Sequence, residues 1–219
     1  NLGTMIVEID FVDDQVFDLI LRSTHLSGAS AELNKIPVEG SEVEVYLETA
    51  GFLRPLNEGA NLVSFYTLPV DRSVSVMLDQ VDDYVTEVIG PSSAATLYEG
   101  EWIGNLEAFN ESNGYYLKSF AETTGALAVS GFRTNKDQVY NLDDAANLIS
   151  YPFASTYLLE DIIPEEFNQY ISGIIGEGQA AIINPETGEW VGSLEALQGT
   201  YGYWIVSYVP FEFNYSPLD

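Results

Sequence analysis

The chain repeats itself, and that constrains its fold more than any other feature. Ala60-Asn-Leu-Val-Ser64 returns 86 residues later as Ala146-Asn-Leu-Ile-Ser150. At the same offset Tyr84 meets Tyr170, Ile89-Gly90 meets Ile175-Gly176, and Ala94-Ala95 meets Ala180-Ala181. Then Glu101-Trp-Ile-Gly-Asn-Leu-Glu-Ala108 matches Glu189-Trp-Val-Gly-Ser-Leu-Glu-Ala196, and Gly114-Tyr-Tyr-Leu117 matches Gly202-Tyr-Trp-Ile205, both at 88. The two extra residues fall in Asn184-Pro-Glu-Thr-Gly188, a turn sequence where insertion costs little. Identities in one order with one turn-located insertion mean two copies of one module. We place them at residues 44–121 and 122–219, after an unaligned segment, 1–43.

Each module reads as a small α+β unit: an antiparallel sheet with one helix and a short helical turn. Val43-Glu-Val-Tyr-Leu47 alternates as a strand does, and Leu62–Phe65 and Leu148–Tyr151 are short apolar strands. Helical spacing follows at Leu78, Val81, Val85 and Val88, and at Phe167, Ile171 and Ile174, the latter entered by Pro164-Glu-Glu166. Ile-Gly closes both predicted helices. Strands are expected through Ala94-Ala95 and Ala180-Ala181. Asn105 and Ser193 then suit the N-cap of a single helical turn before a final strand starting Gly-Tyr. In the lead-in segment, Thr4–Val12 and Gln15–Thr24 read as a hairpin about Asp13-Asp14, and Leu26–Glu42 as a loop region with Gly28, Pro37 and Gly40. A start at Asn1 reads as a processed chain or a piece of a longer polypeptide, and the strand-like stretch at Phe211–Ser216 favours the piece.

Composition narrows the chemistry. Asp+Glu total 34 against 7 Lys+Arg, a formal net charge of -27. Such a surface does not track phosphates, so no nucleic-acid partner is expected, and it does not suit anionic membranes. No apolar run is long enough for a membrane span, so no membrane insertion is expected. The charge suits a saline setting, where screening relieves self-repulsion. Without cysteine there is no thiolate nucleophile and no cysteine-based zinc site, and the one histidine, His25, has no partner histidine. We assign no catalytic residue, no cofactor and no metal ligand.

The acids Glu101, Glu107, Glu189 and Glu195 bring to mind paired carboxylates of glycoside hydrolysis, but each recurs at an equivalent place, which fits a structural role better. The doublets Asp13-Asp14, Asp82-Asp83 and Asp143-Asp144 lie in no calcium-loop pattern and read as solvated faces. Trp102, Trp190, Gly114 and Gly202 are expected to be structural keystones, with both tryptophans mostly buried, since packing demands identical placement in both copies. Tyr116 and Trp204 alternate out of phase with Tyr115 and Tyr203. One of each pair therefore faces outward or into a neighbouring layer, and Tyr116 and Trp204 are the candidate interface anchors or sugar-stacking rings.

The paired pattern Asn-Leu-(Val/Ile)-Ser, Trp-(Ile/Val)-Gly-(Asn/Ser)-Leu and Gly-Tyr-(Tyr/Trp), over about residues 51–207, resembles a tandem repeat of surface-exposed and virion-associated proteins of marine bacteria and their phages. The resemblance implies a non-enzymatic structural protein of an extracellular or virion assembly, a fibre, appendage or surface-layer component. Its partners would be other subunits or domains of that assembly. It carries no catalytic residues to this chain. The alternative is a carbohydrate-binding or adhesive module that holds surface glycans with exposed aromatics. The first copy departs from the pattern in having Tyr116 where the second has Trp204.

Overall fold

The computed structural model describes residues 17–22, 30–36, 49–121 and 126–216. The chain divides into two units, 1–47 and 48–219. In the first, β1 (Phe17–Arg22) pairs antiparallel with β2 (Ser30–Ile36). The hairpin partner of β1 thus comes from the region expected to be a loop. Gly28, Pro37 and Gly40 bracket a seven-residue strand instead of interrupting it. Thr4–Val12, Asp13-Asp14, His25 and Val43–Leu47 lie outside the described residues.

The second unit is mostly strand. In its first half come β3 (Thr49–Arg54), β4 (Gly59–Val63), β5 (Thr67–Leu68), α1 (Val74–Leu78), β6 (Val85–Ile89), β7 (Ala94–Tyr98), β8 (Glu101–Gly104), β9 (Tyr115–Ser119) and β10 (Leu127–Arg133). In its second half come β11 (Tyr140–Leu142), β12 (Ala146–Ile149), β13 (Tyr157–Leu158), α2 (Leu159–Ile162), β14 (Ile171–Ile175), β15 (Ala180–Ile183), β16 (Trp190–Gly192), β17 (Ala196–Leu197), β18 (Tyr203–Ser207) and β19 (Phe211–Phe213). Two five-stranded antiparallel sheets carry the same order, β4-β9-β6-β7-β8 and β12-β18-β14-β15-β16. The duplication in sequence is a duplication in topology.

The balance is more β than expected. The helices hold only five and four residues, each followed by a 3-10 turn, Asp79–Val81 and Glu165–Phe167. The helical reading of Val85-Val88 and Ile171-Ile174 fails, because both pairs lie in strands. The cause is a β-bulge. The register of β6 against β9 shifts between Val85 and Glu87, and that of β14 against β18 shifts between Ile171 and Gly173. One extra residue in the strand puts two buried side chains three positions apart, which imitates a helix. Each bulge is marked by a hydroxyl: Thr86 donates to Lys118 O (3.4 Å) and Ser172 to Val206 O (3.1 Å).

The expected helical turn after Asn105 and Ser193 is also absent. Both side chains accept a strand N–H instead, from Ala94 (2.9 Å) and Ala180 (3.2 Å). The carbonyls of Ala94 and Ala180 take the amides of 105-106 and 193-194, so the chain turns a corner at the sheet edge. The insertion behaves as expected. Leu97 pairs with Trp102 across a two-residue Glu99-Gly100 turn with both φ positive, whereas Ile183 pairs with Trp190 across the longer Asn184–Glu189 turn.

Two cores result. The first includes Leu56, Phe65, Leu78, Val88, Leu117 and, from β10, Leu127 and Val129. The second begins at Tyr140 and runs to Tyr215. The divide therefore falls between β10 and β11, later than 121/122. The pair Arg54–Leu127 of β3 and β10 recurs 86 residues on as Tyr140–Phe213 of β11 and β19, so β10 closes the first module as β19 closes the second.

Candidate functional site

Most residues shared by the two copies serve the fold. The Oδ1 of Asn61 accepts from Asn57 N–H (2.7 Å), and its Nδ2 donates to carbonyls of Asn57, Gly59 and Leu117. Asn147 does the same with Asp143, Ala145 and Ile205. Tyr115 and Tyr203 are buried, and their hydroxyls accept the amides of Asn110 (2.6 Å) and Gln198 (2.7 Å). Burial raises both phenols above their ordinary range, Tyr203 to about 12. Ser119 and Ser207 donate to Tyr84 O and Tyr170 O. A Cβ on Gly104 or Gly192 would lie 2.1 or 2.2 Å from a carbonyl of the facing strand, so neither position admits a side chain.

Trp102 and Trp190 occupy equivalent places, on edge strands β8 and β16 and facing their own cores. Each is half-buried, less than expected, because an edge strand has a neighbour on one side only. Glu101, Glu107, Glu189 and Glu195 are exposed. Glu101, Glu107 and Trp102 line one open groove of about 430 Å³ with Ser75 and Leu106.

The remaining candidates converge where the modules meet. Gly114 and Gly202 sit nearly back to back: a Cβ on Gly202 would lie 3.1 Å from Gly114 Cα and 2.8 Å from Val63 O. A Cβ on Gly114 would lie 2.7 Å from Leu148 Cδ1 and 2.9 Å from Ile149 O. Around these glycines the contacts are reciprocal. Ser64 N–H donates to Thr200 O and Ser150 N–H to Ser112 O, both at 3.0 Å. Ser64 and Ser150 are equivalent, and so are Ser112 and Thr200, so the modules are related by a pseudo-two-fold axis through the glycine pair. Trp204 Nε1 donates to Tyr116 Oη at 3.0 Å, so these aromatics meet each other across the joint.

Sequence reading missed one part of this joint. Arg54, 8% exposed in its side chain, pairs with Glu177 at 3.0 Å and lies over the Tyr201 ring, 3.6 Å from its centroid. The same Glu177 oxygen accepts Leu62 N–H at 2.8 Å. Neither charge is repeated: Arg54 corresponds to Tyr140, and Glu177 to Pro91. The available signal was a break in the repeat, a lone arginine in an apolar strand of a chain with few cations.

Among the described residues no group of three or more acidic or histidine side chains is placed to hold a metal. No helix among them is long and apolar enough to cross a membrane. No family model, curated protein or solved structure matches the chain.

Proposed function

We propose that this chain is a non-enzymatic, rigid two-module building block of an extracellular or virion assembly, such as a fibre, appendage or surface layer. The observation that carries the reading is the joint. Shared residues go into scaffold hydrogen bonds, and the modules are locked by reciprocal amide bonds, a glycine contact, a tryptophan–tyrosine bond and a buried arginine clamp. Fixed geometry between repeats is what a structural element has to supply. The partners are then other subunits or domains of the assembly. A second reading, glycan binding, draws on the groove that places Trp102 beside Glu101 and Glu107.

The absence of cysteine makes a direct test simple. Ser92→Cys and Glu186→Cys place spin labels on an exposed turn of each module. One narrow distance distribution, unchanged from low salt to seawater ionic strength, is expected. A broad or bimodal distribution overturns the rigid-block reading. Turnover of polysaccharides, or glycan binding abolished by Trp102→Ala, moves the chain to the second reading or to an enzyme.

A further inference from the structure

Each five-stranded sheet has an outer face opposite its core. Directly paired residues share a face, so Tyr116, Ile89 and Ala94 stand together on the first sheet, with Thr96 and Ile103 beside them and Tyr98 paired with Glu101 at the hairpin end. Trp204, Ile175 and Ala180 stand together on the second, with Ile182 and Val191. Near the joint this face is covered. Leu62 pairs with Tyr116 and Leu148 with Trp204, and both leucines are buried, each packed close to the opposite module's glycine. Farther out the face is bare: Ile103 is 57% exposed and Ile182 56%, with Ile89, Ile175 and Val191 also exposed. The apolar surface is therefore one stripe per module, half used for module-on-module packing and half unpartnered.

We infer that the unpartnered halves dock the same faces of a second copy of this chain, which deepens the assembly reading and rests on it. Continuity with the existing joint argues for that occupant, because the same sheet face already receives a module of this kind. Charge argues for it as well. Among the described residues the one ion pair on the face, Lys118 to Glu87 at 3.4 Å, cancels itself. The corresponding residues of the second module are Val206 and Gly173. A chain of net charge -27 approaches another copy at least cost through this face, where Lys118 and Glu87 balance each other and the unbalanced acid, Glu101, stands at the hairpin tip on the hydrated rim. The bare aliphatics offer on the order of 400 Å², about half of what one partner gives a standard interface. The association is therefore weak, reversible and promoted by salt.

Sedimentation velocity of the full chain, from 0.05 to 0.6 M NaCl at concentrations up to about 100 µM, tests this. The wild type is expected to shift from monomer toward dimer as salt and concentration rise. Ile103→Glu and Ile182→Glu should each weaken association about tenfold or more. Val76→Glu, on the exposed side of α1, adds the same charge off the patch and should leave association near wild type. Unchanged melting temperatures would show that these surface variants fold. A wild type that stays monomeric throughout overturns the inference, as does self-association that the two patch variants leave intact. Neither result touches the rigid-block reading, which stands or falls on the spin-label distance.

Discussion

Substituting Gly202 by alanine should open the joint without harming either core. The added Cβ would meet Val63 O at 2.8 Å, Gly114 Cα at 3.1 Å and Leu62 Cδ1 at 3.3 Å. Two of those atoms are backbone and cannot rotate away, so the modules must move apart by several tenths of an ångström. Gly202 does not have a left-handed φ, so the cost is purely one of space. Overpacking of this kind costs about 1–3 kcal/mol. Separation also stretches the bonds from Ser64 to Thr200 and from Ser150 to Ser112, each worth about 1 kcal/mol. The expected loss is about 2–4 kcal/mol. Gly114→Ala should cost a similar amount, since besides the movable tip of Leu148 its Cβ would meet the backbone oxygen of Ile149 at 2.9 Å. The double variant should cost less than the two together, because both push on the same seam. Urea denaturation reads the loss, and the spin-label pair reads the opening. The wild type should unfold in one transition, and Gly202→Ala should tend toward two as the modules uncouple. Gly100→Ala is the control: its φ is +83° with open space around it and its turn carries neither label, so strain stays in that turn and the distance should not change. A Gly202→Ala protein within about 0.5 kcal/mol of wild type, with an unchanged distance, would refute the seam argument.

Buried tyrosines set an alkaline limit. Tyr115, Tyr140, Tyr151, Tyr203 and Tyr215 are all raised by burial, Tyr203 to about 12. Each ionises near 10 when unfolded, so its stabilisation is complete below pH 10 and lost as pH climbs toward and through the folded value, at about 1.4 kcal/mol per unit. The melting temperature should be flat from pH 7 to 9 and fall steeply above 10. A flat profile to pH 12 contradicts the burial of these phenols. Trp102→Ala and Trp190→Ala should each cost about 2–3 kcal/mol, below the range for fully buried tryptophan, and by similar amounts because the sites are equivalent. Urea midpoints differing by more than twofold in free energy between them would break the equivalence. With net charge -27, NaCl should raise the melting temperature by screening, and Ca²⁺ at equal ionic strength should add little. A large extra calcium shift would reveal an oxygen-ligand site.

The duplication, its insertion point and the places of Trp102, Trp190, Gly114 and Gly202 were legible in the sequence, because a doubled fold repeats its steric and hydrogen-bonding demands at a fixed offset. That is why Asn61 and Asn147, or Tyr115 and Tyr203, align without any structure. Secondary structure was less legible. The bulges at Thr86 and Ser172 spaced buried residues like a helix, and only cross-strand pairing reveals the extra residue. The divide between modules was hidden too, since β10 belongs to the first core through pairing with β3, a contact between segments more than 70 residues apart. The joint itself was decided wholly in three dimensions. The sequence left Tyr116 and Trp204 facing either outward or into a neighbouring layer, and only the packing of one module on the other turns them toward each other. Arg54 and Glu177 have no counterpart in the repeat and lie 123 residues apart, so their pairing depends on a surface that exists only once both modules have folded. Periodicity encodes what each module must do for itself. What the modules do for each other depends on shape, and shape is a property of the folded chain.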